Sequence, residues 1–191
     1  LMARSVEFGR RYNVPIIVKS TFSKGEGTVV KEKTMEEAIV RGVTHNDKEM
    51  KFTLFGVPDQ PGIAGKLFSP LSEGGIIVDM IVQNVSKDSK TDISFTAPID
   101  QRENVMEILS KLSNDLNAEG IDSDENIARI SIIGAGMKAE SGVASKMFSI
   151  LGKNKINIGM ISTSPIRISC VIPKNDMNKA IDALHKELIS E

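Results

Sequence analysis

The stretch Gly62-Ile63-Ala64-Gly65-Lys66-Leu67-Phe68-Ser69 returns 80 residues later as Gly142-Val143-Ala144-Ser145-Lys146-Met147-Phe148-Ser149. Over the twenty residues that begin at Gly62 and at Gly142, nine positions are identical, against roughly one expected from average residue usage. Such internal repetition indicates two copies of one small module. Two related modules also offer a paired ligand site between them.

Composition and charge exclude several classes of protein. The chain has 191 residues, a net charge of −1 and charged residues of mixed sign, which argues against nucleic acid and acidic membranes as partners. No apolar run approaches the roughly 20 residues of a transmembrane helix. The N-terminal residues show no signal-peptide core, and the single cysteine, Cys170, excludes an intrachain disulfide. We therefore expect a cytoplasmic protein without a membrane partner.

Apolar periodicity predicts the order strand, helix, strand, strand, helix in each copy. The first copy also has a short fourth strand, and its predicted elements are strands at 51–56, 76–82, 91–97 and 120–122 with helices at 63–72 and 102–114. The second copy is predicted to have strands at 129–134, 156–161 and 166–172 with helices at 143–151 and 176–188. It lacks a fourth strand of its own, which we expect residues 39–44 to supply. The second module would then be discontinuous.

The predicted fold class is α+β, with two ferredoxin-like βαββαβ modules whose helices cover one face of each sheet. Upstream of the modules, the pattern predicts a helix at 4–12, a buried strand at 15–19, a glycine-rich loop at 23–27 and a helix start at 34–37.

The loop that enters the first helix of the first module is the strongest candidate site. Gly62 lets a ligand approach the backbone closely, and the N–H groups of Gly62, Ile63 and Ala64 can bind a carboxylate at the helix N-terminus. Asp59 can pair with an ammonium group, so the loop has the chemistry to hold a free α-amino acid. The alternative is that Asp59 caps the helix and Gly62 only turns the chain.

Several motifs resemble the regulatory region of aspartate kinases, which consists of tandem ACT domains. Residues 55–64 and 79–86 are similar to the first ACT domain of that family, and residues 132–137 and 160–164 are similar to the second. Residues 4–8 and 19–23 resemble the end of the family's kinase domain. The resemblance implies a kinase remnant at 1–30, ACT domain 1 at 51–126, and ACT domain 2 built from 31–50 plus 127–191.

The resemblance also implies a function and its residues. ACT domains of this family bind lysine or threonine and inhibit a kinase that transfers phosphate from ATP to the side chain of L-aspartate, in the biosynthesis of lysine, threonine and methionine. The implied effector contacts are Asp59, Gly62, Ile63, Ala64, Asp79, Gln83, Ser86, Asn157, Ile158, Ser162 and Thr163. Two positions depart from the family pattern, Ser141 in place of a proline and Pro165 in place of a glutamate. Both lie in the second module, so the first is the better-matched site.

We expect no catalytic residue, cofactor or metal site in this chain. It contains no Walker loop, and the resemblance places ATP with Mg²⁺ in the missing kinase domain. His45 and His185 do not fall in a metal-ligand spacing pattern, and Cys170 lies within an apolar strand. The chain is then either a cut piece of an aspartate kinase or a natural small subunit.

Two functions remain open. The chain either senses threonine or lysine, or it is a ligand-free assembly module that dimerises kinase subunits. In both cases we expect a homodimer or a complex with a kinase-containing subunit.

Overall fold

The computed structural model describes residues 2–22, 25–30, 39–85, 89–134, 137 and 142–189. The chain forms two compact units, 1–37 and 38–191. The predicted helix start at 34–37 and part of the loop predicted at 23–27 lie outside the described residues.

The first unit contains a helix followed by a strand pair. Helix α1 spans Ala3–Arg11, and strand β1 (Ile16–Val18) pairs antiparallel with β2 (Thr28–Val30). The predicted helix and strand are confirmed, but the prediction that the strand is buried is wrong. The side chains of Ile17 and Val18 are 56% and 41% exposed, because within this unit a two-stranded pair offers no second layer to cover them.

The second unit alternates strands and helices. In chain order its elements are β3 Gly42–Asn46, β4 Glu49–Pro58, α2 Ile63–Glu73, β5 Ile81–Val85, β6 Lys90–Pro98, α3 Arg102–Asp115, β7 Gly120–Asp124, β8 Ile127–Ile133, α4 Val143–Lys153, β9 Met160–Ser164, β10 Arg167–Pro173 and α5 Met177–Leu188. Short 3₁₀ segments, Ile99–Gln101 and Lys174–Asp176, lead into α3 and α5.

These elements form two antiparallel sheets of the same topology. The first sheet has the order β5-β6-β4-β7, and the second has the order β3-β8-β10-β9. Strand β3 precedes the whole first module in the chain but pairs with β8 of the second, with Val43 opposite Ile132. The predicted α+β class and ferredoxin-like modules are confirmed, and so is the fourth strand supplied from upstream, although β3 begins three residues later than predicted.

The second strand of each module starts later than predicted. The sequence pattern placed these strands at 76–82 and 156–161, whereas β5 begins at Ile81 and β9 at Met160. Ile76 and Ile156 are 6% and 4% exposed and belong to the two hydrophobic cores. These two residues are apolar because they are buried under the helices, and not because they pair in a strand. They lie where the chain crosses from the helix layer to the edge of the sheet.

Each module has its own core between its helices and its sheet. In the first, Phe52 and Phe95 stack with ring centroids 5.4 Å apart, and the edge of Phe68 from α2 meets Phe95. In the second, Ile130 and Leu184 pack among aliphatic side chains from β8, β10, α4 and α5. The periodic apolar positions of the helices supply both cores.

A third cluster joins the modules on the sheet faces that carry no helices. It consists of Met80 from the first module with Ile127, Met160 and Val171 from the second, all buried. The repeated methionines therefore pack between the modules. Methionine suits such a junction because its unbranched thioether fills irregular gaps.

Gly134 marks a close approach between the upstream segment and the second module. A Cβ atom built on Gly134 would overlap the carbonyl oxygen of Ile39. The amide of Arg41 donates to the Ile133 carbonyl at 2.7 Å, which fixes this part of the upstream segment beside β8. Only glycine at position 134 leaves room for that backbone.

We predict that Gly134→Ala lowers the free energy of unfolding by about 1–3 kcal/mol, because the added methyl group forces the Ile39 backbone away. The matched control is Gly152→Ala in α4, where an added Cβ meets nothing within 4 Å. That change is expected to raise stability by about 0.5–1 kcal/mol through helix propensity. Urea denaturation of both variants measures the difference, and equal effects would contradict the proposed close approach.

Candidate functional site

A β-bulge in β4 changes the direction of the chain just before the candidate loop. The register of β4 on β6 shifts between Leu54 and Val57, and Gly56 within the bulge has a positive φ of 60°. The amide of Gly56 donates to the Asp92 carboxylate at 2.9 Å, which stabilises the irregular backbone. Bulges of this kind bend a strand and change the direction of the next segment, here the loop of residues 59–62.

The loop ends in a left-handed residue that starts α2. Gly62 is the N-cap, with a φ of 89°, and no atom lies within 4 Å of a Cβ built on it. The Asp59 amide donates to the Ser89 carbonyl at 2.8 Å, which ties the loop to the start of β6. Gly62 is therefore open toward solvent, where a ligand can approach the helix N-terminus.

The loop, the first turn of α2 and strand β5 together enclose a surface depression of about 390 Å³. Five of the predicted contacts line it, namely Asp59, Gly62, Ile63, Ala64 and Gln83, together with Gln60 and Pro61. Gln83 reaches it because its register partner on β6 is Ile93, so both residues share the sheet face that carries the helices. The depression combines a carboxylate, helix N-terminal amides and a side-chain amide.

One predicted contact has a competing bond. The Ile63 amide donates to the Gln60 carbonyl at 3.2 Å within the loop, so the role of Ile63 as an effector contact stays a prediction and competes with this bond. Gly62 and Ala64 belong to the first turn, whose N–H groups have no intrahelical acceptor. Anion binding at this helix would therefore rely on the amides of Gly62 and Ala64.

The Asp59 side chain is exposed and makes no capping bond to α2 within the described residues. This observation weighs against the interpretation of Asp59 as a simple helix cap. A carboxylate beside a helix N-terminus, with no structural bond to that helix, is placed to receive an ammonium group.

Asp79 is not among the residues that line the depression. Its carboxylate lies 2.8 Å from Nη2 of Arg129 and 3.5 Å from Nη2 of Arg167, both in the second module. Its predicted role as an effector contact stays a prediction and now competes with these ion pairs. Ser86, the other predicted contact near β5, lies outside the described residues.

The predicted contacts of the second module lie at and before β9. Asn157, Ser162 and Thr163 are exposed, and Ile158 is half-buried against the second core. Thr163 pairs with Ile168 on β10, the register position that matches Gln83 in the first module. Their role as effector contacts stays a prediction.

The second helix start repeats the geometry of the first. Gly142 is the N-cap of α4, with a φ of 103°, just as Gly62 is the N-cap of α2. The loop before it, including Ser141, lies mostly outside the described residues.

Comparisons with known proteins agree with the repeat and with the resemblance. Models of the ACT domain match residues 52–114 and 130–188. Aspartokinase from Pseudomonas aeruginosa is 44% identical over 189 residues, which are 97% of this chain and 46% of that protein. A crystal structure of aspartokinase alpha and beta subunits is 38% identical with a TM-score of 0.73, and the match covers 77% of this chain and 97% of that one. The regulatory subunit of aspartate kinase from Thermus thermophilus, in a ligand-free form, is 37% identical with a TM-score of 0.74 and coverages of 78% and 97%.

The chain belongs to the aspartokinase family. It spans about half the length of the curated relatives that it matches, and it covers nearly all of the Thermus regulatory subunit. It corresponds to the regulatory ACT-domain region of an aspartokinase.

Cys170 has a structural role in this aspartokinase region. Burial raises the pKa of the Cys170 thiol to about 12, so the thiol stays protonated at neutral pH and behaves as a core side chain.

Among the described residues, no group of three or more His, Cys, Asp and Glu side chains is placed to hold a metal ion. No helix in the described part of the chain is long and apolar enough to span a membrane.

Sequence reasoning missed an ion cluster at the junction of the modules. Arg129, with 12% of its side chain exposed, binds Glu49 through Nε at 3.2 Å and Nη2 at 2.8 Å, and it also binds Asp79. Asn46 donates a further hydrogen bond to Glu49 at 2.6 Å. Glu49 and Arg129 are 80 residues apart and match no local motif, so only their burial in the fold reveals the pair.

We predict that Asp59→Ala changes the free energy of unfolding by no more than about 0.5 kcal/mol, since the carboxylate makes no capping bond. A true helix cap would cost about 1 kcal/mol. Asp124→Ala is the positive control, because that carboxylate accepts the Asn126 amide at 2.8 Å and its loss is expected to cost about 1 kcal/mol. Denaturant titration of both variants decides; a loss of about 1 kcal/mol for Asp59→Ala would restore the capping hypothesis.

Proposed function

We propose that this chain is the amino-acid-sensing part of an aspartate kinase and binds threonine, with lysine as the second candidate, to inhibit the kinase. The depression in the first module is the observation that supports this proposal, because Asp59, the start of α2 and Gln83 meet there. The kinase would phosphorylate the side-chain carboxylate of L-aspartate with ATP and Mg²⁺, in the cytoplasm, on the way to lysine, threonine and methionine. That chemistry belongs to a kinase domain outside this chain.

The chemistry of the depression suits a free α-amino acid. Its carboxylate can lie on the amides of Gly62 and Ala64, where the helix dipole favours negative charge. Its ammonium group can pair with Asp59 through a charge-assisted hydrogen bond. The Gln83 amide can then contact the side chain of the bound amino acid. It suits the hydroxyl group of threonine better than the side-chain ammonium group of lysine, because that ammonium group would need another carboxylate as its partner.

The domain division is part of the proposal. Residues 1–30 would end the kinase domain, 51–126 would form ACT domain 1, and 31–50 plus 127–191 would form ACT domain 2. The pairing of β3 with β8 supports the discontinuous second domain. The proposed contacts in that domain are Asn157, Ile158, Ser162 and Thr163, so the effector would lie between a first and a second module.

A ligand-free assembly module is the second candidate function. Strands β5 and β9 are the edges of their sheets, and Ile81 and Ile161 on them are 51% and 44% exposed. Exposed edges with apolar side chains favour pairing with another chain. On this hypothesis the depression would be a by-product of the fold and would bind no amino acid.

We predict that calorimetric titration shows threonine binding and that Asp59→Ala weakens it roughly ten- to a hundredfold, because a charge-assisted hydrogen bond is worth about 1.5–3 kcal/mol. Asp122→Ala, which removes an exposed aspartate from the opposite edge strand β7, is the matched control and is expected to bind as the parent does. Tight lysine binding without a threonine response would reverse the ranking. Binding of neither would leave the assembly module as the function.

We predict that the isolated chain is a homodimer joined through sheet edges. Light scattering at high micromolar concentration, with and without threonine, should give twice the chain mass. Ile81→Glu should shift the mass toward the monomer, because it places a charge in the joined edge. Ser149→Glu, on the exposed side of α4, should leave the dimer intact. A monomeric mass for the parent chain would refute edge pairing.

A further inference from the structure

The ion cluster at the module junction joins two nearly buried groups, Arg129 and Glu49, to the partly exposed Asp79. Arg129 lies on β8, a central strand of the second sheet, and contacts two carboxylates of the first module. Glu49 has only 9% of its side chain exposed, and Asp79 has 31%. Buried charges are stable only when they are paired, so Arg129 and Glu49 hold defined positions, and Asp79 pairs with the same guanidinium group.

The two carboxylates lie at the start of β4 and just before β5, the strands that lead to the depression. Glu49 is the first residue of β4, which continues into the loop of residues 59–62. Asp79 lies two residues before β5, which carries Gln83. Arg129 therefore holds the beginnings of both strands at one point.

Of the two edge strands of the first sheet, β5 is the one that begins next to the Arg129–Asp79 contact. It is an edge strand, paired only with β6. Just before β5, two backbone hydrogen bonds join the chain to β6. The Asp79 amide donates to the Thr96 carbonyl at 3.1 Å, and the Thr96 amide donates to the Met80 carbonyl at 3.0 Å. This segment also contacts the second module, through the ion pairs of Asp79 with Arg129 and Arg167 and through Met80 in the shared cluster.

We infer that Arg129 is a positioning residue for the depression: through Asp79 it sets the place of β5 and of Gln83, so the second module controls ligand binding in the first. This inference rests on the proposed function for its ligand readout. Because coupling between two sites is reciprocal, a ligand that moves β5 must also change the Arg129–Asp79 contact and act on β8. Asp79 then acts through Arg129 and not by touching the ligand.

Three variants of the chain test the inference. Asp79→Asn removes the ion pairs of Asp79 with Arg129 and with the more exposed Arg167, and it leaves Arg129 bound to Glu49, so it is expected to fold. Arg129→Lys keeps the charge but loses the planar fork that reaches both carboxylates. The third variant combines the two changes. Glu107→Gln is the control, because it breaks an exposed pair with Lys111 on α3 of the same module.

The first readout needs no ligand. Hydrogen–deuterium exchange of amides in β5 should become roughly tenfold faster in Asp79→Asn, while amides in β7, the other edge of the same sheet, keep their parent rate. Glu107→Gln should change neither strand. Unchanged exchange in β5, or equal acceleration in β5 and β7, would overturn the inference.

The second readout is threonine affinity. Asp79→Asn and Arg129→Lys should each weaken binding about fivefold or more, and the double variant should bind no more weakly than the weaker single variant. If Asp79→Asn weakens binding by the same factor in both backgrounds, Asp79 contacts the ligand directly and the inference fails. A parent chain that binds neither threonine nor lysine removes the proposed function, and exchange in β5 then decides the inference alone.

Discussion

Each four-stranded sheet of this chain has helices on one face only, and the need to cover the other face determines how the two repeats combine. A sheet with one bare apolar face is not stable in water, so a second layer must bury it. Here each module supplies that layer for the other. Met80 and Met160 pack in the shared cluster, and paired hydroxyl groups, such as Ser131 and Ser169 at 2.8 Å, satisfy the polar positions. Burial of both faces holds the modules at a fixed separation.

Burial of that interface explains why an arginine lies at the junction. A charge enclosed between two sheets must find partners, and Arg129 finds Glu49 and Asp79 on the facing module. Such a cluster adds little net stability compared with hydrophobic burial, but it strongly restricts how the two sheets can be placed. It specifies one relative placement of the sheets, because any slide separates charges that have little access to water.

The sequence predicted the parts that depend on local or repeated patterns. The repeat that starts at Gly62 and Gly142 predicted the module topology, and glycine chemistry predicted the helix start that lines the depression. Ile76 and Ile156 misled the strand assignment, because an apolar residue looks the same whether a strand or a crossing segment buries it. The resemblance implied a ligand contact at Asp79, which stays a prediction, but the sequence did not show its ion pair with Arg129, because Arg129 is distant in the chain and looks like an ordinary strand residue. Contacts between modules leave no periodic trace in the sequence.

The order of the chain gives the junction a further constraint. Strand β3 completes the second sheet and β4 begins in the first, and only Asp47 and Lys48 separate them. So short a link cannot absorb a displacement, because two residues span at most about 7 Å when extended. Asn46 and Glu49 flank this link and are hydrogen-bonded to each other, and Lys174 of the second module donates to the Asp47 carbonyl at 3.0 Å. A movement of β4 must therefore pass into β3 and its neighbour β8. The insertion of one module within the other therefore couples the positions of the two sheets, which is the property that the proposed amino-acid sensor needs.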